Sequence, residues 1–179
     1  LSEDMINKGT IPPGMISTVR KEMGIALAPH VADYVNMVMD GGEQKVFLAG
    51  WHKEVLDIWE RVLHKRGTVR VDGRTTPARK QMAVNKFIQD PKCGVFIGNL
   101  MSSGVGTDGL QKVCSRVMIG EPDWVPGNNE QVVARLDRIG QELPVLAEYV
   151  VAPGSLSERV LSSSLEKMQD IHVALDEEI

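Results

Sequence analysis

Three long polar side chains with helical spacing are the residues best suited to chemistry: Gln131, Arg135 and Arg138. The pattern predicts a helix over residues 129–141 in which these side chains share one side. An apolar side, turned by one residue, is formed by Val132, Leu136 and Ile139. Two arginines on a face without a carboxylate require an external anion, and the guanidinium group suits phosphate. The spacing alone is also typical of a surface helix with solvated arginines.

The second candidate is a loop rich in glycine and hydroxyl residues, at positions 99–109 after a predicted strand. Its glycines let the backbone approach a phosphate or a sugar closely. Asp108 is placed to accept a hydrogen bond from a ribose hydroxyl. A plain tight turn fits the same residues, so both interpretations stay open for this loop.

Residues 72–76 form the third candidate, because they follow a strand and open a helix that begins with Thr76 as N-cap and Pro77. Backbone amides at a helix N-terminus attract anions. Arg74 and Arg79 add positive charge there. We therefore expect an anion site, although a simple capped turn has the same sequence.

The net charge of −4 hides a basic belt between Arg61 and Lys92, with nine basic residues against two acidic ones, Asp72 and Asp90. Clustered Lys and Arg favour a phosphate backbone. Solvated lysines on helices explain the same count, so charge alone does not decide whether the belt binds a polyanion.

Short apolar runs predict five strands, at residues 45–49, 68–71, 94–98, 115–119 and 145–151. They alternate with helical patterns, and such βαβ units form a parallel sheet covered on both faces. The predicted class is therefore α/β, with ligands at the carboxyl ends of the strands. Ahead of the sheet we predict two helices, 16–23 and 28–40, separated at Gly24 and Pro29.

The sequence lacks the motifs that several common functions require. The chain has no G-x-x-x-x-G-K-[ST] phosphate loop. Cys93 and Cys114 are isolated, which favours buried reduced thiols, and no histidine pair has metal-ligand spacing. No apolar run approaches the roughly 18 residues of a membrane span. We expect an intracellular protein, cytoplasmic in a bacterium or phage and nuclear in a eukaryote, cut from a longer chain.

In these motifs the chain resembles a known family, the C-terminal RecA-like lobe of Swi/Snf-type superfamily-two DNA translocases. Residues 131–141 match that family's arginine motif, Q-x-x-x-R-x-x-R-I-G-Q. Further matches lie in its serine- and glycine-rich loop (102–108), its aromatic-proline turn (123–126) and its segment at the DNA backbone (73–87). Residues 24–29, together with residues 49–53, are similar to the branch that includes annealing helicases.

The resemblance implies a role for each matched residue. Arg138 would be an arginine finger on the γ-phosphate of ATP, with Arg135 as its partner. Nucleotide contacts would come from Gln131, Gly106 and Asp108. DNA-backbone contacts would come from Lys53, Gly73, Arg74, Arg79, Ser102, Ser103 and Gly104.

The resemblance also implies an organisation. Residues 16–154 would form a RecA-like three-layer sandwich, 1–15 a linker from an N-terminal RecA-like lobe, and 155–179 a C-terminal helical extension. That other lobe would hold most of ATP and Mg²⁺, so this chain alone would be a monomer without ATPase activity. Its partners would be the other lobe and double-stranded or branched DNA, with no membrane. Two alternatives stay open: a non-enzymatic nucleic-acid-binding module and a lobe of an RNA helicase.

Overall fold

The computed structural model describes residues 13–102 and 108–176. Five strands form one sheet: β1 (Val46–Gly50), β2 (Thr68–Val71), β3 (Val95–Asn99), β4 (Arg116–Ile119) and β5 (Leu146–Tyr149). The α-helices are α1 (Pro13–Asp40), α2 (Lys53–Val62), α3 (Pro77–Gln89), α4 (Pro126–Val133) and α5 (Leu156–Asp176). Single 3₁₀ turns lie at His64–Arg66 and Leu110–Lys112. Within the described residues no helix is long and apolar enough to cross a membrane.

The sheet is entirely parallel, in the order β2-β3-β1-β4-β5. β1 lies in the centre, and all five of its residues are buried because it pairs with a strand on each side. Fully buried parallel strands are apolar throughout, which explains why these runs do not alternate with polar residues. The predicted α/β class with a parallel sheet is confirmed.

Each face of the sheet has its own apolar core. On one face Phe47 and Phe96 meet edge to face with ring centroids 5.4 Å apart, and Phe87 of α3 packs on Phe96 at 5.6 Å. On the other face α1 and α2 cover Leu48 and Ile97, with Trp59 fully buried. Helices therefore lie on both faces, as the three-layer prediction requires.

The predicted break between two N-terminal helices is wrong, because α1 is continuous from Pro13 to Asp40. Pro29 removes one helical hydrogen bond but lies on the exposed side of the helix, where its ring displaces nothing from the core. Gly24 is buried, and a Cβ there would collide with the carboxylate of Glu121. The glycine thus reflects close packing rather than a helix end. Helical structure also begins inside the segment that we predicted as a linker, at Pro13.

The predicted start of α3 is confirmed. The hydroxyl of Thr76 accepts a hydrogen bond from the amide of Arg79 at 3.4 Å, and Pro77 occupies the first turn. The sequence predicts that the apolar residues of this helix are Met82, Ala83, Phe87 and Ile88, and the structure differs in one respect. Met82 is 69% exposed, whereas Val84 is buried beside Phe87. The helix is rotated so that Val84 rather than Met82 faces β3.

Candidate functional site

Four residues predicted to contact DNA line one groove at the carboxyl ends of β1, β2 and β3. They are Lys53, Gly73, Arg74 and Ser102, and Trp51, Asp72 and Asn99 lie between them. The sheet order explains the grouping, because β3 lies between β1 and β2 and all three strands run in the same direction. We call this feature the rim groove. A Cβ on Gly73 would lie 3.3 Å from Ser102 Oγ, so a side chain there would crowd the loop after β3.

Asp72 orients Arg74 at the edge of the rim groove. The Arg74 amide donates to Asp72 Oδ1 at 3.0 Å, and its guanidinium lies 3.3 Å from Oδ2. Arg70 pairs with the same Oδ2 at 3.1 Å. Burial raises the pKa of Asp72, but the hydrogen bonds from Arg74 and the nearby guanidinium charges outweigh it, and the net pKa is lowered. Asp72 is therefore a charged anchor that leaves Arg74 69% exposed.

A second hollow continues from the rim groove to the start of α3. It is lined by Arg70, Asp72, Arg74, Thr75 and Arg79. Arg79 is exposed on the first turn of the helix. The anion site that we predicted at residues 72–76 therefore has three arginines around it, but Asp72 already balances part of their charge.

The predicted helix over residues 129–141 is wrong in its second half, since α4 ends at Val133. Gln131 is exposed on the last turn of α4, and Arg135 and Arg138 lie in the turns that follow. Val132 and Leu136 are buried as expected, but Ile139 is fully exposed.

The physical reason is that the chain must turn before β5. The turn contains Gly140, whose φ of +94° suits glycine. Gln141 Nε2 then donates to the carbonyl oxygen of Cys114 at 2.9 Å. Cys114 precedes β4, so this segment has already reached the amino end of the sheet.

Arg135 and Arg138 still converge, and the group that they share is Asp108. Arg135 Nη1 lies 3.4 Å from Asp108 Oδ1, and Arg138 Nη1 forms a close ion pair with the same oxygen. This corrects our expectation that no carboxylate faces the two arginines. Burial and the neighbouring charge of Arg138 lower the pKa of Arg135, against the attraction of Asp108. Two guanidinium groups therefore point at one oxygen atom.

The rim groove and the arginine pair are separate places joined by one loop. Ser102 lies in the groove at the start of the loop, and Asp108 lies at the arginines at its end. Ser103, Gly104 and Gly106, which we predicted to contact DNA or nucleotide, lie outside the described residues.

The chain is similar to known proteins in sequence and in fold. No protein-family model matches the chain. Over 129 residues, 70% of this chain, the sequence is 35% identical to the DNA repair and recombination protein RAD54-like of Drosophila pseudoobscura pseudoobscura and to that of Drosophila erecta. The chain spans 16% of the length of these relatives. The crystal structure of the C-terminal part of the Fun30 ATPase domain superimposes with a TM-score of 0.68, at 24% identity, covering 74% of this chain and 44% of that one.

This chain is a C-terminal RecA-like lobe of the Swi/Snf type. The recognition from the arginine motif is thus confirmed at the level of the family and the fold. The similarity to the branch that includes annealing helicases stays a prediction, and so do the roles of the individual residues.

The basic belt of this Swi/Snf lobe is partly neutralised. Arg66 pairs with Asp40 at 2.6 Å, and Arg70 with Asp57 at 2.5 Å, so carboxylates balance part of the charge of both arginines. The charge at the rim groove therefore comes from fewer residues than the sequence count indicated.

Two residues of the lobe were missed as contributors to the site. Asn99 Nδ2 donates to the Trp51 carbonyl at 2.7 Å, while its Oδ1 accepts from the Ser102 hydroxyl at 3.2 Å. It thus links the loops after β1 and β3. Glu121, which sequence reasoning treated as part of a rigid turn, bonds to the loop after β1. No spacing signal marks the contacts of Asn99 and Glu121 with the loop after β1, because these partners are distant in sequence.

Proposed function

We propose that this lobe is the C-terminal half of a DNA-dependent ATP hydrolase that moves along duplex DNA. The observation that carries the proposal is the convergence of Arg135 and Arg138 on a single anionic oxygen. A γ-phosphate presents three such oxygens to the same two guanidinium groups. Stabilising the charge of a transferring phosphoryl group in this way is worth about 10³–10⁵ in rate.

Asp108 holds the arginine pair when no phosphate is present. Its side chain is 72% exposed, and that of Arg138 is 36% exposed, so solvent screens their ion pair and makes it weak. Arg135 is more enclosed, at 15%. A phosphate group with two negative charges displaces the single charge of Asp108 and takes over both arginines.

The residues of this lobe fit only one end of ATP. Guanidinium groups bind phosphate, and we assign the remaining phosphates and Mg²⁺ mainly to an N-terminal RecA-like lobe of the same protein. Once released, Asp108 is free to contact the ribose, and Gly106, outside the described residues, stays a predicted nucleotide contact. Gln131, at the start of the arginine motif, supports the same nucleotide.

The rim groove is the DNA side of the proposal. Lys53, Arg74 and Arg79 supply positive charge, and the loops at Gly73 and Ser102 let a phosphate backbone approach closely. Because the loop that begins at Ser102 ends at Asp108, displacement of Asp108 by nucleotide moves the end of a DNA-contacting loop. This connection would couple hydrolysis to movement along DNA.

The experiment is to measure ATP hydrolysis by the purified chain with and without duplex DNA. We expect no hydrolysis, because the lobe supplies fingers but no phosphate cradle. Joining the N-terminal lobe is expected to restore hydrolysis that DNA stimulates, and RNA less so. ATP hydrolysis by the chain alone would contradict the proposal, and stronger stimulation by RNA would favour an RNA helicase lobe instead.

A further inference from the structure

A buried carboxylate is bonded to the loop after β1, which contributes Trp51 to the rim groove. Glu121 follows β4 after Gly120, and its side chain is only 4% exposed. Burying a charged group is costly unless its hydrogen bonds are satisfied. Its Oε2 accepts from the amides of Trp51 at 2.8 Å and His52 at 2.9 Å, and its Oε1 lies 2.7 Å from His52 Nδ1. All three bonds go to the loop after β1.

Neighbouring elements leave space for this carboxylate. A Cβ at Gly50 would lie 3.1 Å from Glu121 Oε2, and a Cβ at Gly24 would collide with Oε1. Gly24 belongs to α1 and Gly50 to β1; a side chain at Gly24 would displace the carboxylate, whereas one at Gly50 would collide with the Trp59 ring and crowd the carboxylate. The position of Glu121 is therefore fixed by packing as well as by hydrogen bonds.

The loop that Glu121 holds leads directly to Lys53, the first residue of α2 and part of the rim groove. Two further residues, Asn99 and Arg20, contact Trp51 in the same loop. Asn99 donates to the Trp51 carbonyl, and the Arg20 guanidinium lies 4.9 Å from the centre of the Trp51 ring. These contacts restrain the backbone from which Lys53 begins α2.

We propose that Glu121 is a positioning residue for DNA binding, acting through the loop Trp51–His52 on Lys53. The inference rests on the proposed function, which assigns the rim groove to the phosphate backbone. Glu121 does not reach DNA in this arrangement. It restrains the loop, so that the backbone at Lys53 does not have to be ordered when a phosphate binds and only the exposed side chain of Lys53 loses freedom.

Two substitutions of Glu121 distinguish the effect of its hydrogen-bonding position from the effect of its negative charge. A glutamine can place its oxygen where Oε2 lies and accept from both amides, while its NH₂ group donates to His52 Nδ1. An aspartate keeps the charge, but its carboxylate is one methylene too far away. If Glu121 acts by position, E121Q therefore retains the function and E121D loses it.

The test measures DNA-stimulated ATP hydrolysis in the full-length protein. For E121D and for Lys53→Ala we expect the DNA concentration at half-maximal stimulation to rise about tenfold, with unchanged turnover at saturating DNA. E121Q is expected to stay within about twofold of the wild type. Lys65→Ala is the matched control, since Lys65 is exposed at the amino end of the sheet, and we expect no change.

A double variant shows whether Glu121 acts through Lys53. E121D combined with Lys53→Ala should be no worse than Lys53→Ala alone, because residues in one pathway are not additive. Independent, additive increases would overturn the inference, and so would a larger defect in E121Q than in E121D. If E121D does not fold, His52→Ala replaces it with a smaller expected increase, and no increase would overturn the inference.

One further outcome separates the two proposals. If Lys53→Ala has no effect, the assignment of the rim groove to DNA is wrong, and the role of Glu121 falls with it. If Lys53→Ala has its effect and E121D has none, only the role of Glu121 is wrong.

Discussion

Single residues show why sequence patterns located the arginine site but not its geometry. The motif that contains Arg135 and Arg138 is readable from type and spacing, and their convergence was expected. The helix that was to align them ends at Val133, because Gly140 and the entry to β5 require a turn. Asp108, the group that they contact, lies 27 residues before Arg135, so no local pattern could pair them.

Lys45 is a buried charge that stabilises the end of α3. Its ammonium group donates to the carbonyls of Phe87, Asp90 and Cys93, each at 2.7 Å, and the side chain is 9% exposed. Lys45→Met would leave these three carbonyls without a charged donor. We expect the free energy of unfolding to fall by about 3 kcal/mol.

Urea denaturation measures this change, and Lys65→Met is the control on an exposed lysine. A lower midpoint at an unchanged slope is the expected result. Equal midpoints for the wild type and Lys45→Met would show that the three hydrogen bonds contribute nothing to stability.

The buried thiol of Cys114 should make the stability of the protein depend on pH. Burial raises the pKa of its thiol to about 12, whereas the ordinary value is 9.0. Above pH 9.0 the unfolded chain loses this proton and the folded chain keeps it. The thiol's contribution is therefore fully present below pH 9.0 and declines as the pH rises toward about 12.

Comparison with Cys114→Ala isolates this contribution from other groups that titrate in the same range. The difference in unfolding free energy between the two proteins should be constant below pH 9.0 and should shift against the wild type above it. A difference that stays constant up to about pH 12 would show that the folded thiol ionises as readily as the unfolded one.

At the scale of elements, buried strands and capped helices were predictable and close contacts between elements were not. The strands and the start of α3 follow from local apolar runs and from Thr76 with Pro77. The continuity of α1 does not, because Gly24 and Pro29 both resemble helix breaks. Glycine is needed at position 24 because Glu121, about a hundred residues later in the chain, packs against it.

Gly24→Ala tests this explanation. Alanine normally favours a helix over glycine by roughly 0.5–1 kcal/mol. At Gly24, however, the new Cβ would lie 3.0 Å from Glu121 Cδ and 3.1 Å from Val55 Cγ2. We expect thermal unfolding to show a loss of about 1–3 kcal/mol.

Gly14→Ala is the matched control in the same helix, because a Cβ at Gly14 meets nothing within 4 Å. It should leave stability unchanged or raise it slightly. If Gly24→Ala were as stable as Gly14→Ala, the packing of Glu121 against α1 would be looser than the structure indicates.

For the whole molecule, parallel strand order determines what can act together. Loops after β1, β2 and β3 meet in the rim groove because those strands are neighbours. The arginine pair lies elsewhere, after α4, where the chain returns to the amino end of the sheet. The sequence located the residues of both places, but their separation depends on where α4 ends. In the proposed function these two places contact DNA and nucleotide, respectively.

We propose that Arg138 acts on ATP that another lobe holds, and steady-state ATP hydrolysis by the full-length protein at saturating DNA measures this role. Arg138→Ala is expected to lower turnover by about 10³ or more while DNA binding persists. Arg61→Ala, an exposed arginine at the end of α2, should hydrolyse ATP like the wild type. Unchanged turnover in Arg138→Ala would contradict the account.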